Sequence, residues 1–199
     1  MRHRRVRFLR IAALLALSLG FHPSSAGAFA GTGSLTPWAG VFVPTRDRYS
    51  AVEADVKRNS SFIAGGELTW FPKGLLGLEL SAGWSPAHTG VAGASINESR
   101  ALDALVASAR LLVGLSPALS PVAVFAKVGP AYIRYKDPLN DDHHFADFGG
   151  VLGVGASLPF SPAIGLRLDG DDYMYGGTFD GSRKWQNDLV ISAGIALHM

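Results

Sequence analysis

Residues 61–84 read SFIAGGELTWFPKGLLGLELSAGW, a pattern that two strands joined by the turn Phe71-Pro72-Lys73-Gly74 account for. In the second half Leu76, Leu78, Leu80, Ala82 and Trp84 alternate with Gly77, Glu79, Ser81 and Gly83. That is the period of two of a chain whose successive side chains face opposite sides of a sheet. One face is apolar throughout; the other is small or charged. The apolar face ends in aromatics, Trp70 and Phe71 near the turn and Trp84 at the far end. Aromatics bordering an apolar band mark strands that cross a bilayer.

The rest of the chain repeats this reading. Further strands are expected over 34–45, 102–115, 122–135, 146–158, 164–175 and 186–199. Polar stretches at 46–60, 85–100, 136–145 and 176–185 read as long loops and alternate with short turns at 71–74, 116–121 and 159–163. Long and short connections in strict alternation, with both chain ends on the short-turn side, fit an even-numbered antiparallel barrel. Pro130 has no N–H to give a ladder and so marks a bulge or an unpaired position in its strand. The expected fold is all-β: a single antiparallel up-and-down transmembrane β-barrel of about eight strands over residues 31–199.

Composition narrows the choice. Of 199 residues 48% are hydrophobic and 17% charged, with 24 glycines and no cysteine; soluble domains carry roughly 25% charge. No run reaches the ~18 apolar residues of a spanning helix, so a membrane role has to use strands. Lack of cysteine excludes disulfides, zinc–thiolate sites and thiol nucleophiles together. Residues 1–30 carry Arg2, Arg4, Arg5, Arg7 and Arg10, then an apolar core, then A-x-A sites at 26–28 and 28–30, the features of a cleavable signal peptide. Its removal takes five of the 18 basic residues and none of the 16 acidic ones, turning +2 into −3. Nucleic-acid binding then loses its electrostatic basis.

A soluble up-and-down barrel keeps apolar residues inside; a membrane barrel inverts this. The larger apolar sets, such as Leu152, Val154, Ala156 and Leu158, or Ile191, Ala193, Ile195 and Leu197, are expected to face lipid. The opposite set is small or charged. By parity it brings Glu67, Glu79 and Asp169 inward against Arg110, Lys127 and Arg167. An unpaired charge in a confined interior costs several kcal/mol, so these six are expected to form a salt-bridge network, structural or gating, that plugs the bore.

In this pattern and in its length the chain resembles, over residues 31–199, the small outer-membrane β-barrel family typified by the transmembrane domain of outer-membrane protein A. A further likeness is the C-terminal assembly signal of such proteins, a glycine with hydrophobic residues third and fifth after it: here Gly194, Leu197 and Met199, with Met199 where the family usually has Phe or Trp. The resemblance implies an outer-membrane location, contact with outer-membrane lipid and lipopolysaccharide, handling by the outer-membrane assembly machinery, and an extracellular ligand of unspecified kind. Such barrels serve in tethering, adhesion, passive conduction and, in a few cases, lipid A modification, so the fold does not give the function. The expectation is a non-enzymatic envelope protein with a structural or surface-interaction role; the alternative is a narrow small-solute channel gated by interior ion pairs, and a lipid A-modifying enzyme comes after both.

Other motifs are weaker. His143 and His144 with Asp141, Asp142 and Asp147 have the chemistry of a metal site, yet adjacent histidines on an acidic loop are commonly solvated. Asp169, Asp171, Asp172 and Asp180 lack the spacing of a calcium loop. Glycines 149–155 come without the strand–turn–helix context of a nucleotide site. A deacylase would need Ser, His and carboxylate together; Ser85, His88, Ser95 and Glu98 form no compact set, and His198 falls at the periplasmic end. No cofactor, metal or catalytic residue is expected.

Overall fold

A computed structural model of the chain describes residues 32–45, 49–51, 54–58, 60–73, 75–93, 96–116, 120, 122–136, 144–179 and 182–199. The leader expected over residues 1–30 lies outside them. The described residues form ten strands: β1 (Thr32–Pro44), β2 (Tyr49–Ala51), β3 (Ala54–Arg58), β4 (Ser61–Lys73), β5 (Leu76–Gly93), β6 (Ile96–Gly114), β7 (Ala123–Lys136), β8 (His144–Pro159), β9 (Ile164–Phe179) and β10 (Ser182–His198).

Eight of them close a ring. β1 pairs β4, each barrel strand pairs the next, and β10 returns to β1, all antiparallel. Closure leaves no free edge inside a bilayer, where no water could satisfy an unpaired N–H or C=O. β2 and β3 stay outside the ring, paired with each other and, through β3, with the outer end of β5. At Pro130 the β6–β7 pairing lapses between Ser108↔Ala131 and Leu111↔Val128. The register is the same on both sides of the gap, so this is an unpaired position and not a bulge.

Side-chain parity follows the membrane pattern in the half of the barrel nearest the short turns. Leu76, Leu78 and Leu80 are 54%, 52% and 60% exposed, and Leu111, Leu152, Val154, Leu168 and Ile191 stand out from the wall with them. Gly77, Glu79, Ser81, Arg110, Arg167 and Asp169 are buried in the bore. Trp70 and Trp84 point outward as expected. Phe71 does not: it is buried and, with Leu112 and Phe125, closes the bore at the short-turn end. Its ring lies over Gly77, where an added Cβ would come within 2.6 Å of Phe71 Cε1.

Two further features depart from the sequence reading. The stretches 85–100 and 176–185, expected as loops, are largely strand. β5 and β6 pair without a break from Leu76↔Val113 to Gly93↔Ile96, and β9 and β10 run to Phe179↔Ser182. Roughly 9–11 residues take a tilted strand across a bilayer, so these hairpins continue well past it as backbone-paired ribbons of polar sequence. Residues 46–60 likewise contain β2 and β3, while 137–143 lie outside the described residues. The second departure is the outer half of the bore, which is apolar. Phe42, Ile63, Ile133, Tyr135, Tyr173 and Val190 are among the buried residues packed there.

Gly77→Val should place two methyl groups in the Phe71 ring and cost about 1–3 kcal/mol, the range for overpacking a filled interior. Urea unfolding of the refolded barrel in detergent, followed by tryptophan fluorescence, measures it; a transition unchanged from wild type would mean that Phe71 does not seat there.

Candidate functional site

Between the two apolar layers lies a cluster of seven ionisable side chains. β4 supplies Glu67, β5 Glu79, β6 Arg110, β7 Lys127, and β9 Arg167, Asp169 and Asp171, all turned inward by the two-residue period of their strands. Glu79 and Lys127 are each 1% exposed. Asp169 and Asp171 continue the inward set begun at Arg167, so three consecutive inward positions of one strand carry charge.

Arg167 is the hub. Its Nε lies 2.6 Å from Glu67 Oε1 and 2.9 Å from Asp169 Oδ2, Nη2 pairs with Glu79 Oε2, and Nη1 donates to Thr69 Oγ1 at 2.9 Å. Thr69 in turn donates to Glu79 Oε2 at 2.8 Å. The guanidinium carbon sits 4.6 Å above the Phe125 ring, which covers the arginine from the short-turn side. Lys127 Nζ bridges Asp169 Oδ1 at 2.6 Å and Asp171 Oδ1 at 2.7 Å. Arg110 Nη1 reaches Asp171 Oδ2 at 2.7 Å and Glu79 Oε1 at 3.3 Å, while Nε donates to Ser108 Oγ at 2.9 Å. Glu67 Oε1, Glu79 Oε1 and Asp171 Oδ1 make their ion pairs without aligned hydrogen bonds, so charge proximity alone holds those three contacts.

All six residues singled out by parity meet in this cluster. The seventh, Asp171, does not stand out in the sequence because its neighbour Asp172 lends the segment the look of a strand leaving for a loop; its spacing of two from Asp169 is the signal that includes it. The balance is therefore four carboxylates to three cations, and Glu67 is the least engaged, touching only an arginine nitrogen that Asp169 shares.

The remaining motifs separate. Asp172 faces outward and accepts from Asn187 Nδ2 at 3.1 Å, on the other side of the wall from Asp169 and Asp171; Asp180 lies outside the described residues. Among the described residues no three His, Asp or Glu side chains are placed to hold a metal ion; Asp141, Asp142 and His143 fall outside them. Ser85 is buried, with its hydroxyl 2.7 Å from the Phe62 carbonyl oxygen and 2.7 Å from Ser61 Oγ. A second polar group sits in the outer apolar layer: buried Asp188 accepts from Tyr175 at 2.5 Å and from Tyr135, whose hydroxyls are 2.7 Å apart. Gly194 is buried beside Thr36, Leu197 is exposed, and Met199 exchanges backbone hydrogen bonds with Gly33, fastening the last strand to the first.

A closed wall of eight antiparallel strands has counterparts among solved structures. The fold is that of the small outer-membrane β-barrels. The outer membrane protein OprG of Pseudomonas aeruginosa superposes with a TM-score of 0.64 at 14% identity, covering 87% of this chain and 98% of its own. Neisserial surface protein A gives 0.57 at 13%, covering 84% and 97%. Outer membrane protein W of E. coli gives 0.52 at 13%, covering 86% and 100%. No protein-family model matches the chain, and no curated protein does.

Arg167→Met should leave three carboxylates around an uncharged side chain and cost about 3–5 kcal/mol, as breaking a buried ion pair does. Glu67→Gln, which brings the cluster to three charges of each sign, should cost far less than Glu79→Gln. Urea midpoints of the three refolded variants test the ranking; equal losses at positions 67 and 79 would sink the count of four against three.

Proposed function

We propose that the chain is a plugged outer-membrane barrel, non-enzymatic, whose work is to hold the long outer hairpins rigidly above the membrane for surface interaction. The observation that supports it is the filling of the bore. A phenylalanine–leucine layer, a dense ion cluster and an apolar layer follow one another along the axis. A barrel of eight strands has room only for its own side chains, and here those side chains are cross-linked by charge. Solute passage would require several buried ion pairs to part together, so the gated-channel reading is the weaker one.

The ribbon of β5 and β6, widened by β3 and β2, is built from the two longest strands among the described residues. Strand pairing keeps it ordered at little entropic cost to a partner that docks on it. Contact with lipopolysaccharide and insertion by the assembly machinery, with Gly194, Leu197 and Met199 as the recognised end, belong to the same proposal. The closing of β10 on β1 is consistent with a signal that is read before it is paired.

The experiment is a trimmed hairpin. Removing residues 88–101 and joining the strands through Asn-Gly, a turn suited to two-residue hairpins, should leave heat-modifiable gel mobility intact. Cells displaying the full chain should adhere to host-cell monolayers, and cells displaying the trimmed one should not. Planar bilayers carrying the full chain should stay silent at neutral pH. Discrete openings that vanish when Glu79 and Arg110 are exchanged would overturn the plug in favour of a channel; equal adherence of both forms would overturn the role of the hairpin.

A further inference from the structure

Among the described residues the outer wall carries a groove of about 380 Å³ over the β6–β7 seam. It is shallow and open toward the surroundings of the barrel. It exists because the seam is thin. Pro130 withholds a ladder hydrogen bond where the pairing lapses, and the outward positions across the gap are Ala107 and Ala109, which have no bulk to cover it. Leu80 walls one side. Tyr132 and Phe148 wall the other, their rings 5.2 Å apart between centroids and tilted by 55°. Phe148 is 79% exposed, a large ring standing off the wall and not lying flat on it.

We propose that this groove is a binding site for one acyl chain of an outer-leaflet lipid. Its surroundings are the apolar belt, with Leu78, Leu111, Val128 and Leu152 exposed next to it, so what fills it is hydrocarbon or protein. Nine residues line it, against about 20–30 on each side of a stable interface, and a concavity this small cannot seat the convex wall of a second barrel. A flexible chain can enter it. The leaflet follows from height: the groove rises from Leu80 to the Tyr132↔Phe148 pair, and the next outward pair is Arg134↔Ala146, where an exposed charge marks the outer margin of the belt. Tyr132 lies one outward pair below that margin, where interfacial tyrosines commonly sit. The binding energy is dispersion with the two rings and burial of the chain away from its neighbours. This inference requires only that the barrel spans the membrane, and it stands whether or not the hairpins bind a partner.

The test uses the full barrel refolded into vesicles of phosphatidylethanolamine and phosphatidylglycerol doped with a phosphatidylethanolamine bearing a diazirine in mid-chain. After irradiation, peptide mass spectrometry should find lipid adducts on Ala107, Ala109, Pro130, Tyr132 and Phe148 several-fold above those on Val154 and Ile191, which are 59% and 55% exposed on the same belt. The double variant Ala107→Leu and Ala109→Leu fills the groove from outside and should bring the excess down to the belt level. Phe148→Ala removes a wall and should do the same, giving a second measure where the first fails to fold. Even labelling around the whole belt would overturn the site. An excess that falls to the belt level as the protein-to-lipid ratio is raised would overturn it in favour of a contact between two copies.

Discussion

Everything in this barrel is arranged around the need to keep three cations and four carboxylates out of water with each of them against an opposite charge. Taking one such ion from water into a low-dielectric interior costs several kcal/mol even after relaxation, so seven of them together are tolerable only if each meets opposite charge at contact distance. Arg167 achieves this by presenting three nitrogens to three carboxylates and a threonine at once, a use that the planar fork of a guanidinium allows and an ammonium does not. Lys127, with its compact head, takes the position where two aspartates on one strand converge. The glycines facing the cluster are part of the same solution. At Gly153 and Gly155 a Cβ would collide with the Asp171 and Asp169 carboxylates and with the Phe125 ring, so those positions are the space into which the charged groups fold.

This constraint also explains the order of layers. An ion cluster exposed to periplasmic water at one end and extracellular water at the other would exchange its pairs for solvent and lose strength to screening. Phe71, Leu112 and Phe125 shut one end, and the Phe42–Ile133–Tyr173 layer shuts the other. With water excluded on both sides, the Coulomb attraction acts at the low local dielectric that makes it large. The plug and the dryness that strengthens it are thus one arrangement.

Much of this was legible in the sequence, and the part that was not has a definite cause. Alternation at 76–84 places Leu78 on lipid and Glu79 in the bore with no other information, and the same parity collects Arg110, Lys127 and Arg167. It fails for Asp171, whose inward direction is hidden by the outward Asp172 beside it. It fails for Phe71 because an aromatic near a turn has the same composition whether it anchors at the interface or caps the bore. The hairpins 85–100 and 176–185 escape for a different reason. Hydrophobic patterning reports burial, and a paired ribbon standing in water buries little, so its strands carry the polar residues of loops while their backbone bonds leave no trace in composition.

The reversal inside the barrel follows from the same rule applied at two heights. On β9, Leu166 and Leu168 face out while Arg167 and Asp169 face in; a few residues on, Asp172 faces out and Tyr173 and Tyr175 face in. On β7, Val124 and Val128 face out over inward Lys127, and then Arg134 faces out over inward Ile133 and Tyr135. The backbone has not slipped register, since the β7–β8 and β8–β9 pairings run on unbroken. What changes is the solvent outside the wall. Below the switch it is hydrocarbon, and an apolar exterior with a polar bore is the favoured arrangement; above it the exterior is water, and the arrangement of a soluble barrel takes over. On β7 and β9 the height at which polarity inverts therefore marks the outer surface of the bilayer, and Lys127, Arg167 and Asp169 lie on the membrane side of it.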